Sequence, residues 1–275
     1  MSYYPMPELT PEEKNMPLSK YFEKYPFCVP PPMQQMLLDS GPMDPIDAVP
    51  AQHWLDILQP IGYRKVEFGY CMMPDGSGYY AEYYVTPDTM NSEMRRWFGR
   101  WINVRSRSMV EGQGNLRYKL WNPLDHWDHK FVNCVDDADG VWSMESLDLG
   151  QGDKPAAAIS HRIDLRECGL TAERQAELEA VGCRVSAAWE EFEGPGHHLV
   201  LRLSRPCPFG GTEHLNHEWI GYYIKNGKVV RDEETPVDEA YLKNVLTHNT
   251  VEHLHLPKFL PKLYAEYHDK PMDAD

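Results

Sequence analysis

The sequence predicts an α+β protein in which a curved antiparallel sheet wraps around one long C-terminal helix and encloses a cavity. Short segments rich in aromatic and β-branched residues recur through the chain, some with strict apolar–polar alternation. Two turn sequences, Gly194-Pro195-Gly196 and Asn226-Gly227, join pairs of such segments as hairpins. Residues 237–267 then have a helical pattern. Antiparallel strands followed by a long helix are typical of this fold class.

The first half of the chain begins with a segment rich in proline and methionine, residues 1–50. Because proline fixes φ and removes a backbone donor, this segment is expected to form an irregular arm, and residues 51–275 a single domain. The elements predicted next are a short helix over 52–58, strands over 63–73 and 79–85 joined by Pro-Asp-Gly-Ser-Gly, a helix over 89–102, a strand over 116–121 and a loop over 125–129.

The second half alternates between strands and helices in the same way. It is expected to contain a strand over 156–165, a helix over 171–181 capped by Thr171, one hairpin of strands 184–192 and 197–203, and a second of strands 219–224 and 228–230. The last helix covers 237–267, and Pro257 and Pro261 are expected to kink or divide it.

The charge balance excludes two classes of partner. Lys and Arg number 27 against 42 Asp and Glu, which gives a formal net charge of −15. Nucleic acids and anionic membrane surfaces are bound mainly through clustered Lys and Arg, so neither is an expected partner. No apolar stretch approaches the roughly 20 residues that cross a bilayer. The six cysteines form no CxxC pair, and the start lacks the pattern of a secretory signal, so a cytoplasmic setting is expected.

Twelve histidines are present, and one of them begins the clearest local motif. His248 and Glu252 lie four positions apart in the predicted C-terminal helix. Residues at this spacing share one helix face, with Cβ atoms about 5–6 Å apart. One imidazole and one carboxylate at this distance suit two ligands of a divalent ion such as Zn²⁺. The alternative interpretation is an exposed helix with a simple His–Glu contact.

A second motif is the segment Tyr118 to His129, which contains two histidines and two aspartates around Pro123. Either histidine, His126 or His129, could bind a metal while a nearby carboxylate fixes its tautomer. The alternative is a polar loop whose aspartates cap turns. In the strand over 156–165, alternation places His161 on one face with Ile159 and Ile163, and this face is expected to point inward.

Two further pairs of histidines come close to predicted strands. His197-His198 opens one strand and could supply an acid, a base or an oxyanion contact. His214 and His217 precede another strand and are expected to lie in a solvated loop. The nucleotide-binding, serine-hydrolase and HExxH zinc-protease motifs do not occur in the sequence.

Taken in order, these motifs resemble one known family, the phloretin hydrolase and 2,4-diacetylphloroglucinol hydrolase family. The residues that carry the resemblance are the run Leu120 to His126 with Tyr118 before it, His197-His198, Trp219-Ile220-Gly221, and His248 with Glu252. They span roughly residues 60–255. The resemblance implies a zinc-dependent C–C hydrolase with a helix-grip (Bet v 1-like) fold. It also implies that His126, His248 and Glu252 are metal ligands, Tyr118 a cavity phenol and His198 a polar active-site group.

The chain departs from this family at two places. The family supplies a glutamate from the strand after the histidine loop, and residues 159–164 contain none. His161 is taken as its replacement, with Glu145 or Asp164 as the alternatives. A basic segment expected before Trp219 is Asn216-His217-Glu218 here, so the groups that orient the substrate are expected to differ.

The resulting hypothesis is hydrolysis of a small aromatic ketone, a retro-Claisen cleavage of an acylphenol, with one Zn²⁺ per chain. His129 or His198 would act as general base, and Tyr118 would donate a hydrogen bond to a substrate oxygen. Two other functions stay open: a binding protein for a hydrophobic ligand without catalysis, and a metal-dependent cyclase or lyase. The oligomeric state is also open, with a homodimer as one option.

Overall fold

A computed structural model describes residues 7–22, 30–110, 114–146 and 155–275. Parts of the predicted N-terminal arm, residues 1–6 and 23–29, lie outside the described residues. Within the described part, the main sheet has eight antiparallel strands in the order β1-β2-β8-β7-β6-β5-β4-β3, and β9 and β10 form a separate hairpin. The strands are β1 Gly69–Met72, β2 Gly78–Thr86, β3 His126–Phe131, β4 Val141–Glu145, β5 Ala156–Arg162, β6 Arg184–Phe192, β7 His197–Pro206, β8 Thr212–Ile220, β9 Tyr222–Lys225 and β10 Lys228–Arg231.

Helices flank this sheet and cover part of it. They are α1 Pro11–Lys14, α2 Pro32–Asp39, α3 Ser92–Trp101, α4 Leu116–Trp121, α5 Ala172–Ala180 and α6 Glu239–Tyr267, with 3₁₀ turns at Pro17–Tyr21, Pro45–Asp47 and Ala51–Ile57. The α+β class, the antiparallel sheet and the C-terminal helix are therefore confirmed. None of the helices in the described part of the chain contains an apolar stretch that could span a bilayer.

The two faces of the sheet bury different sets of residues, as the two-residue period of a strand requires. On one face, Leu199, Leu201 and Leu203 of β7 pack in an apolar core with the 3₁₀ turn Ala51–Ile57. On the opposite face, Tyr80 of β2 packs with residues of α6. This second face also borders the large cavity.

Helix α6 packs against β1 and β2 and contacts α2, α3 and α4. Its close approach to β2 depends on Gly78, because a Cβ there would lie 2.6 Å from the Leu242 side chain and 2.8 Å from that of Val237. Asp238 caps the helix by accepting from the Tyr241 amide over 2.7 Å. Pro257 and Pro261 lie inside one continuous helix, so of the two expected effects, a kink or a division, the division does not occur.

Two predictions for the Tyr118–His129 region are also wrong. Residues 116–121 form helix α4, because the Asn115 side chain accepts from the Arg117 and Tyr118 amides and caps its first turn. All residues from Leu116 to Leu120 are buried. Buried and exposed positions therefore do not alternate, and the pattern cannot distinguish a strand from a helix. The predicted loop over 125–129 is instead mostly strand β3, and it pairs with β4.

Candidate metal centre and cavity

Three side chains from two distant elements converge at one point inside the protein. His126 stands at the start of β3, and His248 and Glu252 lie one turn apart on α6. The His126 Nε2 atom lies 3.3 Å from His248 Nε2 and 3.1 Å from Glu252 Oε2. His248 Nε2 lies 3.7 Å from the same carboxylate oxygen. Donors at tetrahedral positions about 2 Å from a zinc ion are about 3.3 Å apart, so these spacings fit one cation.

The hydrogen bonds of the two imidazoles decide which nitrogen is available. His126 Nδ1 donates to the Tyr118 carbonyl oxygen over 3.2 Å, and His248 Nδ1 donates to Asp125 Oδ2 over 3.2 Å. In the neutral form, each ring then presents an unprotonated Nε2 to the other ring and to the Glu252 carboxylate. Three electron-pair donors that face one another are stabilised by a cation between them. The donor set, two imidazoles and one carboxylate, is the chemistry of a divalent metal site.

The electrostatics around these residues agree with that arrangement. Burial alone would raise the pKa of Glu252, but the neighbouring His253, His126 and His248 lower it to about 2. Burial likewise opposes the charged form of His248, and the Asp125 hydrogen bond with nearby carboxylates still raises its pKa to about 10. The carboxylates around His248 therefore favour a positive charge at this position, either a proton on the ring or a bound cation in its place.

Glu145 is a second carboxylate at the same place. In the register of β3 and β4 it lies directly opposite His126, and its Oε2 is 3.5 Å from His248 Nε2. Its other oxygen, Oε1, accepts a hydrogen bond from the Tyr118 hydroxyl. Tyr118 also stacks on the His126 ring with centroids 3.8 Å apart. Burial and the charge of Glu145 hold the Tyr118 pKa well above its usual value, so the phenol remains a donor.

His129 and His198 are both neutral groups in the cavity wall. Burial lowers the pKa of each to about 3. His129 packs its ring 4.3 Å from that of Tyr118, and its Nδ1 has no hydrogen-bond partner among the described residues. His198 lies farther along the sheet, with its Nε2 3.3 Å from the Tyr241 hydroxyl. Each can accept a proton, whereas neither carries a positive charge at neutral pH.

The structure does not bring His161 to this cluster, which corrects the prediction that it replaces the family's glutamate. Alternation along β5 is as expected, but the cavity side carries Ala156, Ala158 and Ser160. The bulkier His161 lies on the other face, where it stacks on Trp189 and its Nε2 is 3.3 Å from a Glu191 carboxylate oxygen. Small residues face the cavity because they leave room for it. The face of β5 with the larger apolar residues, which carries His161, is therefore not the face that borders the cavity.

Of the two alternatives to His161, only Glu145 is near the centre. Asp164 lies beyond the end of β5, where it pairs with Arg166 over 2.9 Å and is exposed. The expected solvated loop around His214 and His217 is also wrong, because both residues are buried on β8. His214 faces the cavity and contacts Arg95 Nη1 over 2.6 Å. His217 faces the opposite side and contacts the Tyr79 hydroxyl over 2.6 Å.

The cavity itself has a volume of about 840 Å³. Its wall includes Tyr118, His129, Glu145, His198, His248 and Glu252 together with apolar residues such as Phe98, Trp121 and Leu256. It also includes Glu190, Arg202 and Glu218, which the sequence analysis did not single out as functional. The regular alternation of β6 to β8 is the one signal that could have placed these three residues on a common face. A space of this size, lined by aromatic and aliphatic side chains together with polar and charged groups, suits a small aromatic ligand that carries polar substituents.

Comparison with known proteins gives two matches. The family model described as DAPG hydrolase PhiG domain matches residues 50–265. A phloretin hydrolase from Eubacterium ramulus is 24% identical over 280 residues, an alignment that covers 94% of this chain and 93% of that relative. The matched range contains each member of the His126, His248 and Glu252 cluster.

Proposed function

The chain belongs to the DAPG hydrolase PhiG domain family, and we propose that it is a metal-dependent hydrolase of the C–C bond between an acyl group and a phenolic ring. The observation that carries this proposal is the convergence of His126, His248 and Glu252 in the wall of a cavity of about 840 Å³. A hydrolase of aromatic ketones needs both features, a polarising centre and a cavity beside it that has room for the aromatic ring. The helix α6 packed against the sheet beside this cavity supports the helix-grip arrangement, with residues 51–275 as the catalytic domain and 1–50 as its arm.

The proposed metal is one Zn²⁺ per chain, held by His126, His248 and Glu252 with Glu145 as the fourth ligand. Nitrogen and carboxylate ligands in this number are typical of zinc. The 3.5 Å distance from Glu145 to His248 Nε2 supports the fourth assignment. When bound, zinc would supply Lewis-acid polarisation of a substrate oxygen and a lowered pKa of a nearby water. The Asp125 carboxylate holds the His248 ring in the tautomer that leaves Nε2 free.

The side chains around this centre support a retro-Claisen cleavage. A 2-acylphenol can take a ring-keto form, in which the bond between acyl group and ring resembles that of a 1,3-diketone. The raised pKa of Tyr118 keeps its hydroxyl protonated, and with substrate bound the hydroxyl would donate to a substrate oxygen in place of Glu145 Oε1. His129 or His198, both neutral, accepts a proton from the attacking water.

The bond changes then balance as a hydrolysis. The water oxygen forms a bond to the acyl carbon, and the bond from the acyl carbon to the ring breaks. In the ring-keto form the ring carbon of this bond already carries a proton, so the electron pair passes to the ring oxygen and restores the aromatic ring. The products are a carboxylic acid and the deacylated phenol. The apolar wall formed by Phe98, Trp121 and Leu256 excludes water from the ring.

The experiment is product analysis with phloretin and an acylphloroglucinol as substrates, combined with elemental analysis of the purified protein. We expect the free acid and the phenol in equal amounts and about one zinc per chain. His248→Ala and Glu252→Ala should lose both metal and turnover, whereas His268→Ala at the exposed end of α6 should lose neither. Tight binding of these compounds without turnover would favour a binding protein. Products that still contain the acyl carbon joined to the ring would favour a cyclase or lyase.

A further inference from the structure

A second group of charged side chains lines the same cavity, apart from the proposed metal ligands. Glu190 on β6, Arg202 on β7 and Glu218 on β8 come from three adjacent strands and face the cavity together. His198 lies between the two acids, with its Nδ1 3.9 Å from Glu190 Oε2 and 3.9 Å from Glu218 Oε2. Arg202 Nη2 lies 3.8 Å from Glu218 Oε1. The two carboxyl groups therefore share one neighbourhood.

The charges in this group do not balance if both acids ionise. Arg202 is its one cation, because burial keeps His198 neutral. The titratable groups that act most strongly on the pair besides Arg202 and His198 are neutral or acidic: Tyr80 and Glu82 on β2, Glu145 on β4 and Glu252 on α6. His248 on α6 also lines the cavity, and its charge is offset by Asp125, Glu145 and Glu252. Two carboxylates in one cavity wall, of which Glu218 is buried and Glu190 is partly buried, favour the retention of a proton when they have one cation. Burial raises the pKa of both acids, and the charge of Glu218 raises that of Glu190 further.

We propose that Glu190 and Glu218 hold one proton between them and that this carboxylic acid protonates the ring carbon that bears the acyl group, which gives the ring-keto form that is cleaved. The inference rests on the proposed function and identifies its general acid. The hydrolysis needs such a donor, because the bond to the acyl carbon resembles that of a 1,3-diketone only after this ring carbon has gained a proton. His129 and His198 are unprotonated at neutral pH, so they suit the base and not the acid.

Arg202 has a distinct part in the same step. Its side chain retains 37% of its accessible surface because it faces the cavity. At 3.8 Å its contact with Glu218 is longer than a hydrogen bond, so guanidinium N–H groups remain available to a ligand. They would donate to the ring oxygen that takes up negative charge as the bond breaks. The ring hydroxyls thus lie toward Arg202 and the acyl group toward the metal centre.

The proton balance closes over one turnover. The shared carboxyl proton moves to the ring carbon and leaves both glutamates ionised. The proton that the attacking water gave to the neutral histidine then returns to the glutamate pair. One water is consumed. Its hydroxyl becomes part of the carboxylic acid, and its remaining proton restores to the glutamate pair the proton that went to the ring carbon.

The first test is infrared spectroscopy of the zinc-loaded protein at neutral pH, which detects the C=O stretch of a protonated carboxyl group. We expect this band in the wild type. It should disappear in Glu190→Gln and in Glu218→Gln, since either substitution leaves one carboxylate for the one cation. The matched control is Glu191→Gln, because Glu191 is the next residue on β6 and is more than half exposed beside His161. The control should keep the band.

The second test is the pH dependence of turnover in the same four proteins, with zinc content measured for each. A general acid must be protonated, so wild-type kcat should fall as the pH rises through the raised pKa of the pair. Glu190→Gln and Glu218→Gln should lower kcat about 100-fold or more and abolish this alkaline decline, with zinc content unchanged. Glu191→Gln should match the wild type in rate and profile.

The outcomes separate the two proposals. If the wild type cleaves acylphenols but shows no protonated carboxyl band, the inference is wrong and the proposed function stands. The same conclusion follows if both glutamine variants keep wild-type rates and pH profiles. If the wild type cleaves no acylphenol, the proposed function itself is wrong, and the assignment of a general acid is wrong with it.

Discussion

The Nε2 atoms of His126 and His248 lie 3.3 Å apart, although 122 residues separate them in the chain. Each ring directs its Nδ1 at an oxygen acceptor, so in the neutral form the Nε2 atoms of both rings are acceptors. Two acceptor nitrogens at this distance, with the Glu252 carboxylate beside both, are stabilised by a cation. The antiparallel sheet and α6 together create this contact, since β3 and α6 supply one histidine each.

The orientation of His248 depends on Asp125, whose Oδ2 accepts from its Nδ1 over 3.2 Å. Asp125→Asn should lower zinc affinity about 10- to 100-fold, because an amide, which can donate as well as accept, replaces the charged acceptor that fixes the tautomer of the ring. Competition with a chromophoric chelator measures this affinity. Asp164→Asn, at an exposed site away from the cluster, is the control and should bind zinc as the wild type does. Equal affinities in the two variants would contradict the role of Asp125.

The identity of the fourth ligand is tested by comparing Glu145→Gln with His161→Ala. Glu145 Oε2 lies 3.5 Å from His248 Nε2, whereas His161 lies on the other face of the sheet. We expect Glu145→Gln to lose most zinc affinity and activity and His161→Ala to retain both. Elemental analysis after dialysis and the rate of acylphenol cleavage provide the readouts. Zinc loss in His161→Ala alone would refute the assignment.

A buried ion pair joins the N-terminal segment to α4. Lys119 Nζ donates to Glu13 Oε2 over 2.7 Å, and both side chains are almost fully buried. Glu13→Gln would leave the Lys119 charge buried without its partner, so the free energy of unfolding should fall by about 3–5 kcal/mol. Urea titration measures this change. The exposed pair Arg174–Glu177 offers a control, and Glu177→Gln should change stability by less than about 1 kcal/mol. Similar losses in both variants would count against a structural role of the buried pair.

The acid sensitivity of the fold should depend in part on His255. Its Nδ1 donates to the Trp121 carbonyl oxygen over 2.9 Å, and burial lowers its pKa to about 4. The unfolded chain binds this proton near pH 6.5, so the unfolded state carries more protons between about pH 4 and 6.5. The stability that His255 contributes is therefore fully present above about pH 6.5 and is lost as the pH falls toward 4.

Urea titrations across this range test that expectation. His255→Asn keeps a hydrogen-bond donor but cannot titrate, so its unfolding free energy should fall less steeply with decreasing pH than that of the wild type. The slopes should differ by up to about 1.4 kcal/mol per pH unit. His53→Asn, at an exposed position, should leave the slope unchanged. Parallel slopes for wild type and His255→Asn would contradict a neutral buried His255.

Local patterns in the sequence predict part of this site and of the fold. The spacing of His248 and Glu252 is a property of one helix, and the turn residues Asn226-Gly227 specify their hairpin, so both could be predicted. Glu145 reaches the site through its pairing with His126 across two strands, and the sequence analysis did not identify β4. Alternation along β5 could assign His161 to a face but could not decide which face borders the cavity.

The six-residue helix α4 illustrates a similar limit. Its residues are buried on all sides, so its apolar pattern fits neither the helical nor the strand period. Two features stabilise α4 as a helix: the Asn115 cap and packing against the N-terminal segment. Only the cap is close in sequence, so only the cap could be predicted from a local pattern. The Glu190, Arg202 and Glu218 group depends likewise on the order of three strands.

Zinc titration of the chelator-treated protein tests whether His126, His248 and Glu252 form a catalytic metal centre. Activity on an acylphenol should be lost with the metal and should return in proportion to added Zn²⁺, with a plateau at about one equivalent per chain. The Glu252→Ala variant should not regain activity at the same zinc concentration. Full activity of the metal-free protein, or full recovery in Glu252→Ala, would contradict a catalytic centre formed by His126, His248 and Glu252.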